Sequence, residues 1–172
     1  MNHLLPSQIF VDGGIIGRNP SKIGGTFCWI WIGSDNQPIK SGWGIITPED
    51  LGVPKITNNM TELIAAVRAL TSVPPDWAGT LYTDSKVTRI RLTFGEKFKN
   101  IPQCIRQKVL NLRRNRRWKV VQVAGHPTQE DLLAGFRVGT TLPVSIHNVS
   151  CDLKCQELAK EFSVKTGKIS SY

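Results

Sequence analysis

The 172-residue chain predicts an α/β fold: a five-stranded mixed sheet, an antiparallel meander joined to parallel strands, flanked by helices. Three observations carry this. β-branched and aromatic runs come first, three in succession. Segments with apolar residues at helical spacing then alternate with two shorter β-type runs. Turn-type residues and prolines punctuate the chain between most of these segments.

Residues 8–11 form a short β-type run that stops at Asp12-Gly13-Gly14. Residues 26–32, with Phe27, Trp29 and Trp31 among β-branched neighbours, form the second strand. Asp35, Asn36 and Pro38 supply turn residues, and residues 39–46 form the third strand. A loop with Pro48, Gly52 and Pro54 follows. The first strong helix opens at Asn58-Asn59, with Leu63, Ala66, Val67 and Leu70 on one stripe, and stops at Pro74-Pro75. Residues 81–83 make a strand ending at Asp84, and Ser85 caps the helix behind it. Residues 102–115 read as a helix striped by Ile105, Val109 and Leu112, and residues 118–123 as the last strand. Residues 125–149 read as loop, with Gly135, Gly139 and Pro143. A final helix starts at Ser150 and carries Leu153, Leu158 and Phe162. One domain over residues 1–172 is expected, with its core at about 7–165, and with no repeat, low-complexity tract or linker.

No apolar run approaches the roughly 18 residues of a membrane span, and the N-terminus lacks the pattern of a signal peptide. A cytoplasmic protein is therefore expected. Cys28, Cys104, Cys151 and Cys155 are irregularly spaced, which points to reduced thiols. His147, Cys151 and Cys155 recur every four residues and on a helix would share a face. Zinc is one reading of that face; a buried apolar face running on to Leu158 and Phe162 is the favoured one.

The net charge is +9, and arginine and lysine crowd into residues 106–108 and 113–119. The excess spans the chain and implies a polyanionic partner, without separating nucleic acid from an acidic protein.

Among thirteen acidic residues, three stand where an α/β fold places chemistry. Asp12 follows an apolar strand, Asp84 joins a strand to a helix, and Glu62 lies one turn into an otherwise apolar helix. Carboxylates so placed converge at a sheet edge, and hard oxygen ligands suit Mg²⁺ or Mn²⁺. Singly, each also has a plain structural reading: a tight turn at Asp12, a helix cap at Asp84-Ser85, a first-turn acid at Glu62.

Ile9-Phe10-Val11-Asp12-Gly13-Gly14 resembles the first motif of the type 1 ribonuclease H family. Residues 57–70, which open Thr57-Asn58-Asn59-Met60-Thr61-Glu62, are similar to its helix motif, in which two asparagines precede a catalytic glutamate. Leu81-Tyr82-Thr83-Asp84-Ser85 resembles the third motif. Val121-Gln122-Val123-Ala124-Gly125-His126 resembles the strand leading to the family's mobile histidine. Asn148-Val149-Ser150-Cys151-Asp152 resembles the closing motif. All five occur in family order across nearly the whole chain.

The resemblance implies a ribonuclease H fold and a metal-dependent endonuclease that cuts the RNA strand of RNA–DNA hybrids, leaving 5′-phosphate and 3′-hydroxyl ends. Asp12, Glu62, Asp84 and Asp152 would hold two divalent ions, Mg²⁺ with Mn²⁺ as the alternative, Asp12 bridging both. His126 would assist turnover. Substrate contact is implied for Gly13, Asn19, Thr57, Asn58 and Asn59, and for Ser85 and Asn148. A monomer without a small-molecule cofactor is expected. The alternatives are a structure-specific DNA nuclease or resolvase on the same fold, and a catalytically silent nucleic-acid-binding module.

Two departures from the family pattern stand out. The stretch between Asp84 and His126 is too short for the long basic handle of some members, so two readings of residues 106–119 stand side by side: Arg113, Arg114, Arg116 and Arg117 meet substrate phosphates, with Trp118 stacking nearby or packing in the core, or the segment is a plain amphipathic helix with a solvated basic end. An insertion at about 127–147 enlarges the loop before Asp152. It leaves two candidates for the functional histidine: His126, which is favoured, and His147 beside Asn148.

Overall fold

The computed structural model describes residues 7–167. β1 (Gln8–Ile16), β2 (Gly24–Ile32) and β3 (Pro38–Ile46) form the meander, followed by α1 (Pro48–Leu51), α2 (Asn58–Thr71) and β4 (Thr80–Thr83). Then come α3 (Lys86–Phe94), α4 (Gln103–Arg114), β5 (Lys119–Gln122), α5 (Gln129–Ala134) and α6 (Ile146–Lys165). The sheet runs β3-β2-β1-β4-β5, antiparallel on the β2 side of β1 and parallel on the β4 side. This is the mixed five-stranded sheet that the sequence predicts.

The alternation of β1 divides the core. Ile9 and Val11 face the main apolar cluster, built with Leu63, Ala66 and Val67 of α2. Phe10 faces the opposite side, where Cys28, Cys151 and Cys155 pack against it under α6. Asp12 follows in the same alternation and lies on the α6 side. Four elements differ from the sequence reading. β1 does not stop at Asp12 but runs on to Ile16. A short helix, α1, occupies the loop at Pro48, closed by a Thr47–Asp50 capping box. The last helix starts at Ile146 rather than Ser150, with Ser145 as its cap. Its Leu153 is exposed, while Cys151 and Cys155 carry the buried face.

The segment read as loop over residues 125–149 is folded. Thr128 and Asp131 form a capping box at α5, and the Asp131 carboxylate also accepts from the Val138 amide at 2.8 Å. Phe136 pairs with Pro143 in an isolated bridge, and the Ala124 amide donates to the Pro143 carbonyl at 2.9 Å. The segment is thereby tied to the end of β5. Among the described residues, no helix is long and apolar enough to cross a membrane.

Candidate metal centre and nucleic-acid interface

Register places the first two carboxylates. β1 and β4 pair in parallel only through Phe10 and Tyr82. The same offset carried two residues further sets Asp12 beside Asp84, where the strands have parted. This is the split between neighbouring parallel strands where open α/β sheets place their sites. Glu62 arrives from α2. Gly13 faces that helix, and a methyl group on it would land on the backbone of Thr61 and Glu62. The bare glycine lets the first turn of α2 close onto β1. Thr57 is the α2 cap, accepting from the Met60 amide at 3.3 Å, and the Ile56–Ser21 bridge fixes the approach.

Asp12, Glu62 and Asp84 each offer an oxygen, and the three oxygens lie within 4.8 Å of one another. Asp152 stands across the opening. A cavity of about 220 Å³ is lined by Asp12, Asp84, His126, Pro127, Asn148, Val149 and Asp152. The four matched carboxylates thus share one region, three of them tightly and Asp152 on its open side. His126 Nδ1 lies 3.3 Å from Asp152 Oδ2, with the imidazole largely exposed. Gln156 Nε2 donates to the same oxygen at 3.0 Å.

The electrostatics are those of a cation site. Burial, then Asp84, Asp152 and Glu62, hold the Asp12 carboxyl well above the usual carboxylate range, against one 2.7 Å hydrogen bond from the Gly13 amide. Burial foremost pushes Glu62 up to about 7, with Asp84 adding and hydrogen bonds from Ser85 and Asn58 opposing. Burial raises Asp84 too, and the neighbouring Asp152 adds to the rise. Asp84 Oδ1 is buried with no hydrogen-bond partner. Buried carboxylates normally find donors, so an orphaned oxygen on a member of this trio fits a cation. All-oxygen ligands suit Mg²⁺ or Mn²⁺ rather than a thiolate metal.

The remaining predicted residues divide. Asn58 is not the helix cap. Its Nδ2 donates to Glu62 Oε1 at 2.7 Å, while its own amide donates to Asn19 Oδ1 at 3.3 Å. Asn59 is exposed at the same helix end. Ser85 caps α3 and also bonds Glu62. Asn148 is buried beside the cavity, its Oδ1 without a partner. His147 is half-buried, its ring 5.1 Å from that of Phe10, and it does not line the cavity. Nor do His147, Cys151 and Cys155 gather their ligand atoms as a metal site among the described residues.

The basic run needs correcting. Arg113 donates to the carbonyls of Leu92 and Thr93 at 3.0 Å each, and Arg116 to those of Trp118, Leu92 and Thr93. Leu92 and Thr93 end α3, where carbonyls lack partners within the helix. A planar guanidinium fork suits that task. Trp118 is buried in the core, with Arg116 over its ring at 4.8 Å. Arg114 and Arg117 alone of the four arginines are exposed.

Sequence reasoning missed two neighbours of the site. Gly125 packs against Asp84 so closely that a methyl group there would strike its carboxylate; its place just before His126 was the available signal. Arg91 carried a weaker one: a charge three residues beyond Thr88 on the inward stripe of α3.

No protein-family model and no curated protein matches the chain. Solved structures do. RNase H1 from the halophilic archaeon Halobacterium salinarum NRC-1 is 18% identical, with 91% of this chain and 98% of that one covered at a TM-score of 0.61. LC11-RNase H1, isolated from compost by a metagenomic approach, is 17% identical, with 91% and 97% covered and a TM-score of 0.63. The N-terminal RNase H domain of a Mycobacterium tuberculosis protein is 15% identical, with 94% and 99% covered and a TM-score of 0.63. LC11-RNase H1 has also been solved in complex with an RNA/DNA hybrid. With the sheet order, the split between β1 and β4 and near-complete mutual coverage in agreement, this chain has the ribonuclease H fold.

Proposed function

We propose that the protein is a divalent-metal-dependent endonuclease that hydrolyses the RNA strand of RNA–DNA hybrids. The observation that carries this reading is the trio Asp12, Glu62 and Asp84, the first two buried and the third half-buried, mutually within 4.8 Å, with Asp152 and His126 at its open side. Fold alone would not give an activity, since one fold hosts many. The likeness to RNase H1 structures, one of them holding an RNA/DNA hybrid, supports the substrate class.

Asp12, Glu62 and Asp84 would hold one ion, Mg²⁺ or Mn²⁺, and Asp12 with Asp152 a second. Bound divalent ions supply an activated water and stabilise the leaving 3′ oxygen, giving 5′-phosphate and 3′-hydroxyl ends. The chain's own groups do the rest. Asn58 holds the Glu62 carboxylate in orientation, and Ser85 supports it from α3. His126 reaches the open side from a left-handed backbone position, φ 47°, with its ring largely exposed and 3.3 Å from Asp152. The net charge of +9 suits a nucleic-acid duplex.

The test is a panel of labelled substrates: hybrid, double-stranded RNA, double-stranded DNA and a four-way junction, each with and without Mg²⁺. Hybrid-specific, Mg²⁺-dependent cleavage of the RNA strand is the expected result. Junction cleavage without hybrid cleavage would make the protein a resolvase, and metal binding without any cleavage a silent module.

Two side-chain predictions belong to this reading. Asn59→Ala should weaken discrimination between hybrid and duplex DNA by about tenfold, because an amide both donates to and accepts from a 2′-hydroxyl. Stability should hardly change, since Thr57 rather than either asparagine caps α2. Competition binding with the two duplexes reads the discrimination; an unchanged ratio rejects the role. His126→Ala should lower kcat by about 10²-fold or less, the low end for groups that move protons. Mg²⁺ dependence should persist. His147→Ala is the control, and a larger kcat loss there than at His126 would reassign the histidine.

A further inference from the structure

Arg91 is a cation whose attraction to Glu62 does not account for where its hydrogen bonds go. It lies in the last turn of α3 and is 4% exposed. A guanidinium is costly to bury unless its donors are met. Nη1 donates to the Asn59 carbonyl at 3.0 Å, and Nε donates to the Lys97 carbonyl at 3.0 Å. The first acceptor lies in the opening turn of α2, between the Asn58 side chain and Glu62. The second lies in the loop that joins α3 to α4.

That loop has an unusual backbone. Lys97 and Asn100, neither a glycine, stand at φ 60° and 62°. Side-chain-bearing residues adopt this conformation where their surroundings impose it. Phe98 packs against the main core between them, which leaves Lys97 and Lys99 exposed. An apolar side chain of similar length would fill the space under α3 without the desolvation penalty. What it would lack is two directed donors reaching two different segments.

We propose that Arg91 is a positioning residue: its two hydrogen bonds fasten the lysine loop, residues 97–100, to the asparagine turn of α2, so that both present one surface to an RNA–DNA hybrid. This rests on the function proposed above. Arg91 is buried and touches no substrate itself. In a chain without a long basic insertion between α3 and α4, the clamp sets Lys97 and Lys99 at a fixed distance from the asparagines. With Arg113 and Arg116 occupied at the end of α3, this loop becomes a principal source of ordered positive charge beside α2.

Four proteins test it: Arg91→Met, Arg91→Lys, the pair Lys97→Ala with Lys99→Ala, and that pair combined with Arg91→Met. Hybrid cleavage is followed in Mg²⁺ across a salt series. Arg91→Met should raise KM about tenfold, leave kcat within about twofold, and flatten the salt slope towards that of the lysine pair. Arg91→Lys, which keeps the charge but only one bond, should fall between. The combined variant should be no worse than the lysine pair, because the lysines act through the clamp. Additive losses, or a fall in kcat at unchanged KM and slope, would overturn the proposal. Hydrogen exchange decides the clamp independently of activity. In Arg91→Met, protection should fall together at residues 59–63 and 97–101 while β1 and β2 keep theirs. Unchanged protection in either segment overturns the clamp. A wild-type protein that neither binds nor cuts hybrid would instead overturn the function.

Discussion

Asp84→Asn is expected to reduce hybrid cleavage by on the order of 10³-fold while the protein stays folded and, without metal, resists heat better than the wild type. The activity loss follows from place. Asp84 ends β4 at the split from β1, its oxygen lies within 4.8 Å of oxygens of Asp12 and Glu62, and one of its oxygens has no protein partner. An amide keeps the shape but gives up the charge on which a divalent cation depends. Losing about 4 kcal/mol of charge stabilisation at the reacting phosphate corresponds to that factor. The stability gain follows from the same environment. Burial, with Asp152 adding, raises the Asp84 carboxyl, so its ionised form is disfavoured in the folded chain. Asparagine removes that opposition, and its NH₂ can donate to the carboxylates it faces. Cleavage kinetics in Mg²⁺ and thermal melts in chelator check both halves. Near-wild-type turnover would remove Asp84 from the site, and a lower melting temperature in chelator would show that its charge is structural.

Much of the site was legible because its signals are local. Asp84 lies between a β-type run and a capping serine, and both behave as read. The helix over Glu62 shows its apolar stripe plainly, and the mixed sheet follows from three strands, a helix and two strands reached by crossovers. What escaped depends on contacts remote in sequence. Asp12-Gly13-Gly14 reads as a turn, yet the strand continues because β2 pairs along its full length and α2 closes over Gly13. Thr57 and Asn58 are both capping residues; the bridge from Ile56 to Ser21 makes Thr57 the cap and frees Asn58 for Glu62. Arg113 and Arg116 look like a solvated basic end until the carbonyls of Leu92 and Thr93, one helix earlier, are brought beneath them. The apolar residues of segment 127–145 are none of them buried, and its order comes from hydrogen bonds around Asp131. Periodicity sees faces; it does not see acceptors delivered from another element.

Thermal stability in chelator should fall as pH rises from about 5 to about 8, and Mg²⁺ should reverse the fall. Glu62 sets the sign. Its folded-state pKa is raised from 4.5 to about 7, chiefly by burial and further by Asp84, so the unfolded chain ionises first. A group raised in this way gives its full stabilisation below the unfolded value, and that stabilisation is lost as pH climbs through the folded value. Over that window Glu62 alone accounts for a loss of about 3 kcal/mol in the metal-free protein. Asp12 and Asp84 are raised in the same direction and deepen the fall. Salt-bridged carboxylates are already ionised at the bottom of this range and leave stability nearly flat across it, so a fall marks carboxyls raised by burial. Mg²⁺ binds only the folded site and favours the ionised ligands, so its effect on melting temperature should grow with pH. Glu62→Gln should flatten the chelator profile, leaving the part due to Asp12 and Asp84, and abolish most of the Mg²⁺ response. Calorimetric melts at pH 5, 6, 7 and 8, with chelator and with Mg²⁺, measure this directly. A chelator melting temperature that rises across the window would mean that the carboxylates are stabilised by protein donors rather than held ready for a cation.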